Sequence, residues 1–317
     1  MVKATVLLTG ASGYVASQLL AEFENRYDLR MVDVQTTDRD GNEVPGIQVA
    51  DLINPDRSKY ADLFDGVDAV VHLGYKRSGG AQSIVRDHQS SGVAGSEAID
   101  RFDVEFENVQ MANNIYRSSY DAGVRRVVMA SSNHAADWYE HAMVHNKQKE
   151  MVSPMEVPVS DNFYGWAKAC YELLGFPYAC GIFGRKLEVV QIRIGAPREV
   201  PGSRYATDDL STLSEQHTGG SGLSNFKRDL GAHLSQRDLR QLIMKSIETP
   251  NIERPDGVPW QVVYGISGNT RAFWSLESAR AALGYDPEDD SEVKYADDIA
   301  GLLTSSGAGI GPGRQGG

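Results

Sequence analysis

Short apolar runs separated by turn residues recur along the chain, and longer stretches with helical spacing lie between them. The apolar runs are ATVLLTG, DLRMVDV, IQVADL, AVVHLG, RRVVMASS, LEVVQIRIG and WQVVYGIS, and two of the helical stretches are VASQLLAEFENR and FENVQMANNIYRSSYDAG. Brief buried strands that alternate with helices are typical of parallel βαβ units. The pattern therefore predicts an α/β fold built on a doubly wound parallel sheet.

The alternation also divides the chain into three parts. We predict that residues 1–195 form the doubly wound domain, that 196–303 form a smaller C-terminal region, and that the glycine-rich 304–317 is a flexible tail. Residues 76–104 and 198–231 fit the alternation poorly and are predicted to be long loops. In an open α/β sheet, loops that leave the carboxyl ends of strands overhang the ligand crevice, so we expect both to lie near a binding site.

The turn after the first apolar run has the sequence TGASGYVAS, which places Gly10, Gly13 and Ala16 in a G-x-x-G-x-x-A arrangement. Glycines let the backbone approach a phosphate closely, and the N–H groups at the start of the following helix meet its negative charge. The sequence therefore predicts a pyrophosphate-binding turn. Its predicted contact residues are Gly10, Ser12, Gly13, Tyr14 and Val15.

Asp33 ends the second apolar run, about twenty residues beyond the glycine turn. A carboxylate at this place accepts hydrogen bonds from the ribose hydroxyls of a dinucleotide and repels a 2′-phosphate. Together with the turn, Asp33 favours NAD over NADP as the cofactor. The alternative is that Asp33 is a solvated residue at a strand end.

Composition narrows the range of partners. The 317 residues include 31 Lys and Arg against 43 Asp and Glu, which gives a formal net charge of −12. Such a chain has no basic field to attract a phosphate backbone, so we do not expect nucleic acid as a partner. The apolar run at the start is too short for a secretory signal and no run approaches the length of a membrane span, so we expect a cytoplasmic protein without a membrane partner. Cys170 and Cys180 fit neither a disulfide framework nor a zinc site.

The sequence NFYGWAK places Tyr164 and Lys168 four residues apart near the start of a helix, and therefore on one helical face. A phenol is a poor base at neutral pH, but an adjacent fixed positive charge favours the phenolate, so we expect Lys168 to lower the pKa of Tyr164. Such a pair could take the proton from an alcohol. By itself the spacing also fits a helix start with a solvated lysine.

Several separated stretches resemble the extended short-chain dehydrogenase/reductase superfamily, which has a Rossmann fold and includes sugar-nucleotide epimerases, dehydratases and sugar dehydrogenases. They are the glycine turn, ADL, VHLG, ENVQMANNIY, ASSN and YGWAK, in this order. The resemblance implies that Tyr164 is an acid/base, that Lys168 holds the nicotinamide ribose, and that Ser132 rather than Ser131 polarises the substrate oxygen. Further cofactor contacts that it implies are Asp51, Leu52, Leu73, Gly74 and Asn108.

Within the superfamily, ASSNH, RIG and VYGISGNTRAFWSLESARAALGYDP are most similar to uronate dehydrogenases and to archaeal NAD-dependent glucose-6-phosphate dehydrogenases. This similarity covers about residues 2–290 and implies that a sugar is oxidised at its anomeric carbon to give a lactone and NADH. The two long loops, and to a lesser degree residues 141–161, depart from this subgroup. The identity of the sugar therefore stays open, and 196–303 is expected to bind it.

Polar side chains at strand ends are the candidates for holding the sugar. Asn133 and His134 can bond hydroxyl groups, although His134 could instead be satisfied by nearby backbone. Arg193 could clamp a carboxylate or phosphate, and a structural ion pair is its alternative. The Lys-Arg-Ser sequence at 76–78 would form a basic mouth or else a solvated loop. The predicted substrate contacts are Ser78, Ser132, Asn133, His134, Tyr164 and Arg193.

These features together favour an NAD-dependent oxidoreductase that oxidises a sugar, with an anionic sugar such as a uronate or a sugar phosphate as the leading substrate class. One alternative is a nucleotide-sugar epimerase or dehydratase that keeps its NAD tightly bound and returns the hydride. Another is a non-catalytic NAD(P)-binding regulator, although such a protein has no need of Ser132, Tyr164 and Lys168 together.

His141 and His145 have helical spacing and stand beside Glu140, which superficially suggests a metal site. No third ligand is in register with them, and hydride transfer to NAD needs no metal, so we predict none. The sequence does not determine the oligomeric state, and a homo-oligomer is compatible with it.

Overall fold

The computed structural model describes residues 3–77, 96–205 and 222–305. In this part of the chain, seven strands form one parallel sheet in the order β3-β2-β1-β4-β5-β6-β7. The strands are β1 Thr5–Thr9, β2 Asp28–Asp33, β3 Ile47–Val49, β4 Ala69–His72, β5 Arg126–Ser132, β6 Glu188–Ile194 and β7 Trp260–Gly265. Each predicted apolar run contains one of these strands, which confirms the doubly wound α/β fold. The strand order reverses between β1 and β4, so a crevice opens at their carboxyl ends.

Helices cover both faces of the sheet. They are α1 Tyr14–Ser17, α2 Leu20–Arg26, α3 Phe102–Asp121, α4 Phe163–Cys180, α5 Gly222–Ala232, α6 Gln236–Glu248, α7 Glu277–Leu283, α8 Ser291–Lys294 and α9 Ala296–Ser305. Neighbouring residues of β1 belong to different cores, since Leu8 packs in one hydrophobic cluster and Leu7 in the other. Burial on both faces explains why the strands are continuous apolar runs. No helix among the described residues has the length and apolar character needed to cross a bilayer.

The parallel sheet includes a strand beyond residue 195, the predicted end of the doubly wound domain. β7 pairs in parallel with β6 in the register Val189 to Trp260 through Ile194 to Gly265. The chain leaves the sheet after β6 and returns through α6 before adding this last strand. The C-terminal region therefore contributes to the same sheet that carries the site.

Part of the predicted loop 198–231 is helical. The described end of this stretch forms α5, which buries Phe226 and Leu230 in a cluster with Val200 and Tyr205. Residues 206–221 lie outside the described part, as do 78–95 of the other predicted loop. The helix forms because its apolar residues are four apart, and this spacing gives one buried face.

Candidate active site

The glycine turn brings the carboxyl ends of β1 and β4 into close contact. Gly10 has a φ of +73°, and a Cβ at this position would lie 2.5 Å from the backbone nitrogen of Gly74 and 2.7 Å from the carbonyl carbon of Leu73. Gly13 caps α1 without a side-chain hydrogen bond to its first turn. The turn therefore combines a close backbone approach with a helix start that no side chain blocks, which fits a bound pyrophosphate.

Asp33 is fixed beside this turn. One of its carboxylate oxygens accepts from the backbone nitrogen of Ser12 at 3.0 Å and from the Ser12 hydroxyl at 2.8 Å. The other accepts from the backbone nitrogen of Val34 at 2.7 Å. A carboxylate has about four lone-pair positions, so these bonds orient Asp33 and leave it able to accept from a ribose hydroxyl. Together, the turn and Asp33 fit a dinucleotide.

Two of the other predicted cofactor residues make local bonds that shape the crevice. Asp51 accepts from the backbone nitrogen of Ile53 at 2.9 Å, and the carbonyl of Leu52 accepts from Asn114 at 2.9 Å. They hold the segment after β3 at the edge where the adenine side of the crevice is expected.

Asn108 fixes the backbone that follows β4. Its Oδ1 accepts from the Lys76 backbone nitrogen at 2.7 Å, and its Nδ2 donates to the Lys76 carbonyl at 2.9 Å. The amide is thus engaged at both ends, which corrects the prediction of a direct cofactor contact. Its part in the site is to set the path of the chain beyond Leu73 and Gly74.

The two serines at the end of β5 have different roles, because neighbouring residues of a strand face opposite sides. The Ser131 hydroxyl donates to Glu172 at 2.6 Å and is buried. The Ser132 hydroxyl accepts from the backbone nitrogen of His134 at 3.2 Å and lies close enough to Tyr164 to lower the pKa of that phenol. Ser132 is therefore the serine that faces the tyrosine.

Tyr164 and Lys168 lie one turn apart on α4, where Tyr164 is half-buried and Lys168 is buried. Lys168 Nζ donates to the carbonyl of Ala130 at 2.9 Å and lies 5.8 Å from the centre of the Tyr164 ring. Burial lowers the pKa of Lys168 to about 8, against the opposing effect of Glu105.

Burial also raises the pKa of Tyr164 to about 12, and the hydrogen bond from Ser132 only partly offsets this rise. The pKa of Tyr164 therefore lies above its ordinary value in the cofactor-free protein, and a lowering by Lys168 stays a prediction. The cost of burying a phenolate outweighs the nearby positive charge.

Gly165 allows the start of α4 to approach the segment after β5. A Cβ at this position would lie 2.0 Å from the backbone oxygen of His134 and 2.2 Å from the Ser160 hydroxyl. Asn162 caps the start of the helix, and its side-chain oxygen accepts from the Gly165 backbone nitrogen at 2.9 Å. Gly165 therefore sets the distance between Tyr164 and the residues that follow Ser132.

His134 lies against the tyrosine and is held by a buried carboxylate. Its ring is edge-on to that of Tyr164, with centroids 5.5 Å apart. His134 Nδ1 bonds to the carboxylate of Asp137 at 2.8 Å, and the same carboxylate accepts from Asn162 at 2.8 Å. A carboxylate at Nδ1 favours the proton on that nitrogen, which leaves Nε2 as an acceptor for a hydroxyl group.

Asn133 is buried and bonded within the protein. In the amide orientation that satisfies both ends, its nitrogen donates to the Ile194 carbonyl at 2.9 Å and its oxygen accepts from Arg228 at 2.8 Å. The structure therefore corrects the predicted contact with the sugar and gives Asn133 a positioning role. Arg228 in turn makes a two-bond ion pair with Glu140, at 2.8 and 3.0 Å.

Arg193 is not available to an anionic substrate. Its guanidinium makes two bonds to Glu172, at 2.9 and 2.8 Å, and a third to the Tyr264 hydroxyl at 3.0 Å. Its side chain is 1% exposed. The predicted anion clamp is therefore wrong, and the structural ion pair is correct, because a charge buried inside the sheet requires an internal partner.

Two of the three residues of the predicted basic mouth, Lys76 and Arg77, lie in the described part of the chain. Lys76 pairs with Glu107. Arg77 is exposed, and its charge opposes the burial-driven rise in the pKa of Tyr164. The third, Ser78, lies outside the described residues.

The geometry of Asp137, Glu140 and His141 resembles that of a metal site, since one potential ligand atom of each lies within 4.8 Å of the others. Each of these groups already has a protein partner. Asp137 bonds to His134, Glu140 to Arg228, and His141 Nδ1 to Asp161 at 2.7 Å. The cluster is a buried network of ion pairs and hydrogen bonds.

The model of the NAD-dependent epimerase/dehydratase family matches residues 6–180, more than half of the chain. The chain belongs to this family. The match includes the glycine turn, Asp33, Ser132 and the pair on α4. The cofactor of this family is NAD, in agreement with the fit of the crevice.

Relatives that align with most of the chain have names that specify a sugar substrate. An NAD-dependent glucose-6-phosphate dehydrogenase of Haloferax volcanii is 29% identical over 90% of this chain and 94% of its own length. A uronate dehydrogenase of Pseudomonas syringae pv. tomato is 28% identical over 91% of this chain and 83% of its own. A solved structure titled mutated uronate dehydrogenase superposes with a TM-score of 0.66 at 22% identity, covering 99% of this chain and 92% of that one, which shows the shared fold.

Three residues that shape the site were not predicted from the sequence. Gly165 stands second in YGWAK, and a glycine inside a helix is itself a signal of close packing. Asp137 follows His134 by three residues, a spacing that allows a local bond. Arg228 gave no usable signal, because its segment was predicted to be a loop.

Proposed function

We propose that the protein is an NAD-dependent sugar dehydrogenase that oxidises an anionic sugar at its anomeric carbon to a lactone. The observation that carries this proposal is the assembly of Ser132, Tyr164 and Lys168 beside the glycine turn, at the carboxyl ends of the strands. The relatives named for glucose 6-phosphate and for uronate support the substrate class. We also propose that the protein acts in the cytoplasm.

Bound NAD supplies the hydride acceptor. Ser132 donates a hydrogen bond to the anomeric oxygen and fixes it next to Tyr164. Tyr164 takes the proton of that oxygen as the hydride leaves the carbon. Lys168 holds the nicotinamide ribose and keeps a positive charge near the phenol, while Nε2 of His134 accepts a bond from a ring hydroxyl.

Arg77 replaces Arg193 as the proposed partner of the substrate anion. It follows β4 at the crevice, is exposed, and is close enough to Tyr164 for its charge to act on that residue's pKa. Asn108 fixes the backbone of the preceding residue, Lys76, which gives the mouth a defined position. An exposed guanidinium so placed can bind a carboxylate or a phosphate.

The test is a panel of uronates, sugar phosphates and neutral aldoses incubated with NAD, with NADH formation as the readout. We expect net NADH with anionic sugars and a lactone as the first product. An isomerised or dehydrated nucleotide sugar without net NADH would identify the epimerase or dehydratase alternative instead. NAD binding without turnover of any sugar would favour the regulator.

Arg77→Ala tests the anion site separately. One charge-assisted hydrogen bond is worth about 1.5–3 kcal/mol, so kcat/KM for the anionic sugar should fall roughly 10- to 100-fold. The loss on the matching neutral sugar should be small. Arg280→Ala, which removes an exposed arginine of α7, is the matched control. An equal loss on charged and neutral sugars would remove Arg77 from this role.

A further inference from the structure

Glu105 is a buried carboxylate next to the site that the reaction above does not use. It lies on α3 and is 1% exposed. The Tyr75 hydroxyl donates to its Oε1 at 2.5 Å, and Asn108 Nδ2 lies 3.5 Å from its Oε2. An ionised carboxylate that has lost its water is costly unless a positive charge and hydrogen bonds compensate. Burial raises the pKa of Glu105, and the bonds from Tyr75 and Asn108 together with the charges of Lys168 and Arg101 oppose that rise.

Tyr75 connects this carboxylate to the catalytic pair. Its ring is edge-on to Tyr164, with centroids 5.3 Å apart and planes at 85°. Lys168 Nζ lies 5.3 Å from the centre of the same ring. One aromatic ring therefore neighbours both catalytic side chains, and its hydroxyl is anchored by Glu105.

The surroundings of Lys168 contain one described anion that supports its charge. Burial lowers the pKa of Lys168 to about 8, and Glu105 acts in the opposite direction. His72, on β4, is neutral because burial and Lys168 lower its pKa to about 3. The phenols of Tyr75 and Tyr171, which Lys168 faces on its other sides, have pKa values raised by burial and carry no charge near neutral pH.

The same carboxylate acts on the tyrosine. After burial, which is the largest effect, Glu105 and Asp137 raise the pKa of Tyr164, whereas the Ser132 hydrogen bond and Arg77 lower it. Loss of the charge on Glu105 would therefore make Lys168 a stronger acid and would do the same to Tyr164. Both effects displace the working pH range toward acid.

We propose that Glu105, acting through Tyr75, is a positioning residue that keeps Lys168 charged and holds it beside Tyr164. The proposal rests on the dehydrogenase function proposed above, but its central claim concerns the cofactor-free protein. Glu105 touches neither the sugar nor the reacting atoms. It acts by placing a negative charge and a fixed aromatic ring behind the lysine.

Glu105→Gln is the main variant, because glutamine keeps the size of the side chain and a carbonyl oxygen that can accept from Tyr75 while it removes the charge. Tyr75→Phe keeps the ring and removes the bond to Glu105. Asp103→Asn is the control, since it makes the same chemical change at an exposed position of α3. Lysines labelled with ¹³C at Cε report protonation by NMR, and the signal of Lys168 is identified by its loss in Lys168→Arg.

In the cofactor-free protein we expect the titration midpoint of Lys168 to fall by about one pH unit in Glu105→Gln, and not to move in Asp103→Asn. Tyr75→Phe should lower it by less, because Glu105 stays but loses a hydrogen bond that stabilises its charge. In the active enzyme, both limbs of the pH profile of kcat/KM should move toward acid in Glu105→Gln. A purely structural role would lower the profile without moving its limbs.

The proposal is overturned if the Lys168 midpoint of Glu105→Gln stays at the wild-type value, or if Asp103→Asn shifts it as much. If Glu105→Gln does not fold, Tyr75→Phe decides, and an unchanged midpoint in that variant overturns the proposal. The NMR titration uses no sugar, so it separates the two ideas. A shifted midpoint in a protein that oxidises no sugar would support the role of Glu105 and remove the proposed function.

Discussion

Gly165→Ala is the change whose effect follows most directly from the geometry. The added Cβ would lie 2.0 Å from the backbone oxygen of His134, whereas carbon and oxygen need about 3.4 Å. The start of α4 or the segment after β5 must therefore move by more than about 1 Å. The second contact, at 2.2 Å, is with the Ser160 hydroxyl, which can rotate away, but the backbone oxygen cannot.

This movement separates Tyr164 from Ser132, because the two lie on the two elements that Gly165 brings together. A misplacement of about 1 Å at a reacting group can cost ~10²-fold in rate, so we expect kcat to fall by at least that factor. The free energy of unfolding should fall by roughly 1–3 kcal/mol, as for other overpacked positions. NADH binding should change less than kcat, since Lys168 is on α4 but the glycine turn and Asp33 lie on other elements.

The assay compares kcat, NADH affinity by fluorescence and thermal unfolding for Gly165→Ala and a control on the same helix. The control is Gly175→Ala, where a Cβ would lie 2.8 Å from the Tyr116 hydroxyl and 2.9 Å from the side-chain nitrogen of Gln191. It should lose stability but keep most of its kcat. A folded Gly165→Ala enzyme with near-normal kcat would refute the reasoning, and so would an equal loss of kcat in Gly175→Ala.

Three further predictions concern single residues. Tyr164→Phe should lower kcat by at least ~10²-fold and leave NADH binding nearly intact, and a fast Tyr164→Phe enzyme would contradict its role as the base. The kcat/KM with NAD should exceed that with NADP by at least ~10-fold, and the difference should be smaller in Asp33→Ser. Equal use of both cofactors by the wild type would indicate that Arg39, whose guanidinium lies 4.2 Å from the centre of the Tyr14 ring, reaches the 2′-phosphate. Arg193→Ala should lose roughly 3–5 kcal/mol of stability because it leaves Glu172 unpaired, whereas a folded variant that loses activity only on anionic sugars would restore the clamp.

The fold was accessible from the sequence because its determinants are local. Strands buried on both faces give continuous apolar runs. Position 10 requires glycine, because a Cβ there would collide with the backbone that follows β4. α5 was missed because its short buried face, Phe226 and Leu230, lies in a stretch rich in glycine and serine. Its burial depends on Val200 and Tyr205, which no local pattern associates with it.

The site was accessible only as far as its parts are neighbours in sequence. Tyr164 and Lys168 share one helical face, so their spacing alone placed them together. The residue types alone did not separate Ser131 from Ser132, and only the family resemblance favoured Ser132. Tertiary packing gives the physical reason, because the Ser131 hydroxyl is bonded to Glu172. Arg193 was misjudged for the same reason, since its partner Glu172 is 21 residues away on another element.

The positions of the charges lead to one further conclusion about the reaction. The pKa of Tyr164 is about 12 and that of Lys168 about 8, so in the cofactor-free protein the phenol keeps its proton near neutral pH. Among the described residues, Ser132 and Arg77 favour the phenolate, and Arg77 is also the proposed partner of the substrate anion. A bound anion would neutralise Arg77 and raise the pKa of the base, and in the proposed mechanism Lys168, 5.8 Å from the Tyr164 ring, is then the cation that stays beside the phenol. In the positioning role proposed above, Glu105 supports that lysine through its charge and through the ring of Tyr75, so we expect the catalytic pair to depend on a residue outside the groups assigned to substrate and cofactor.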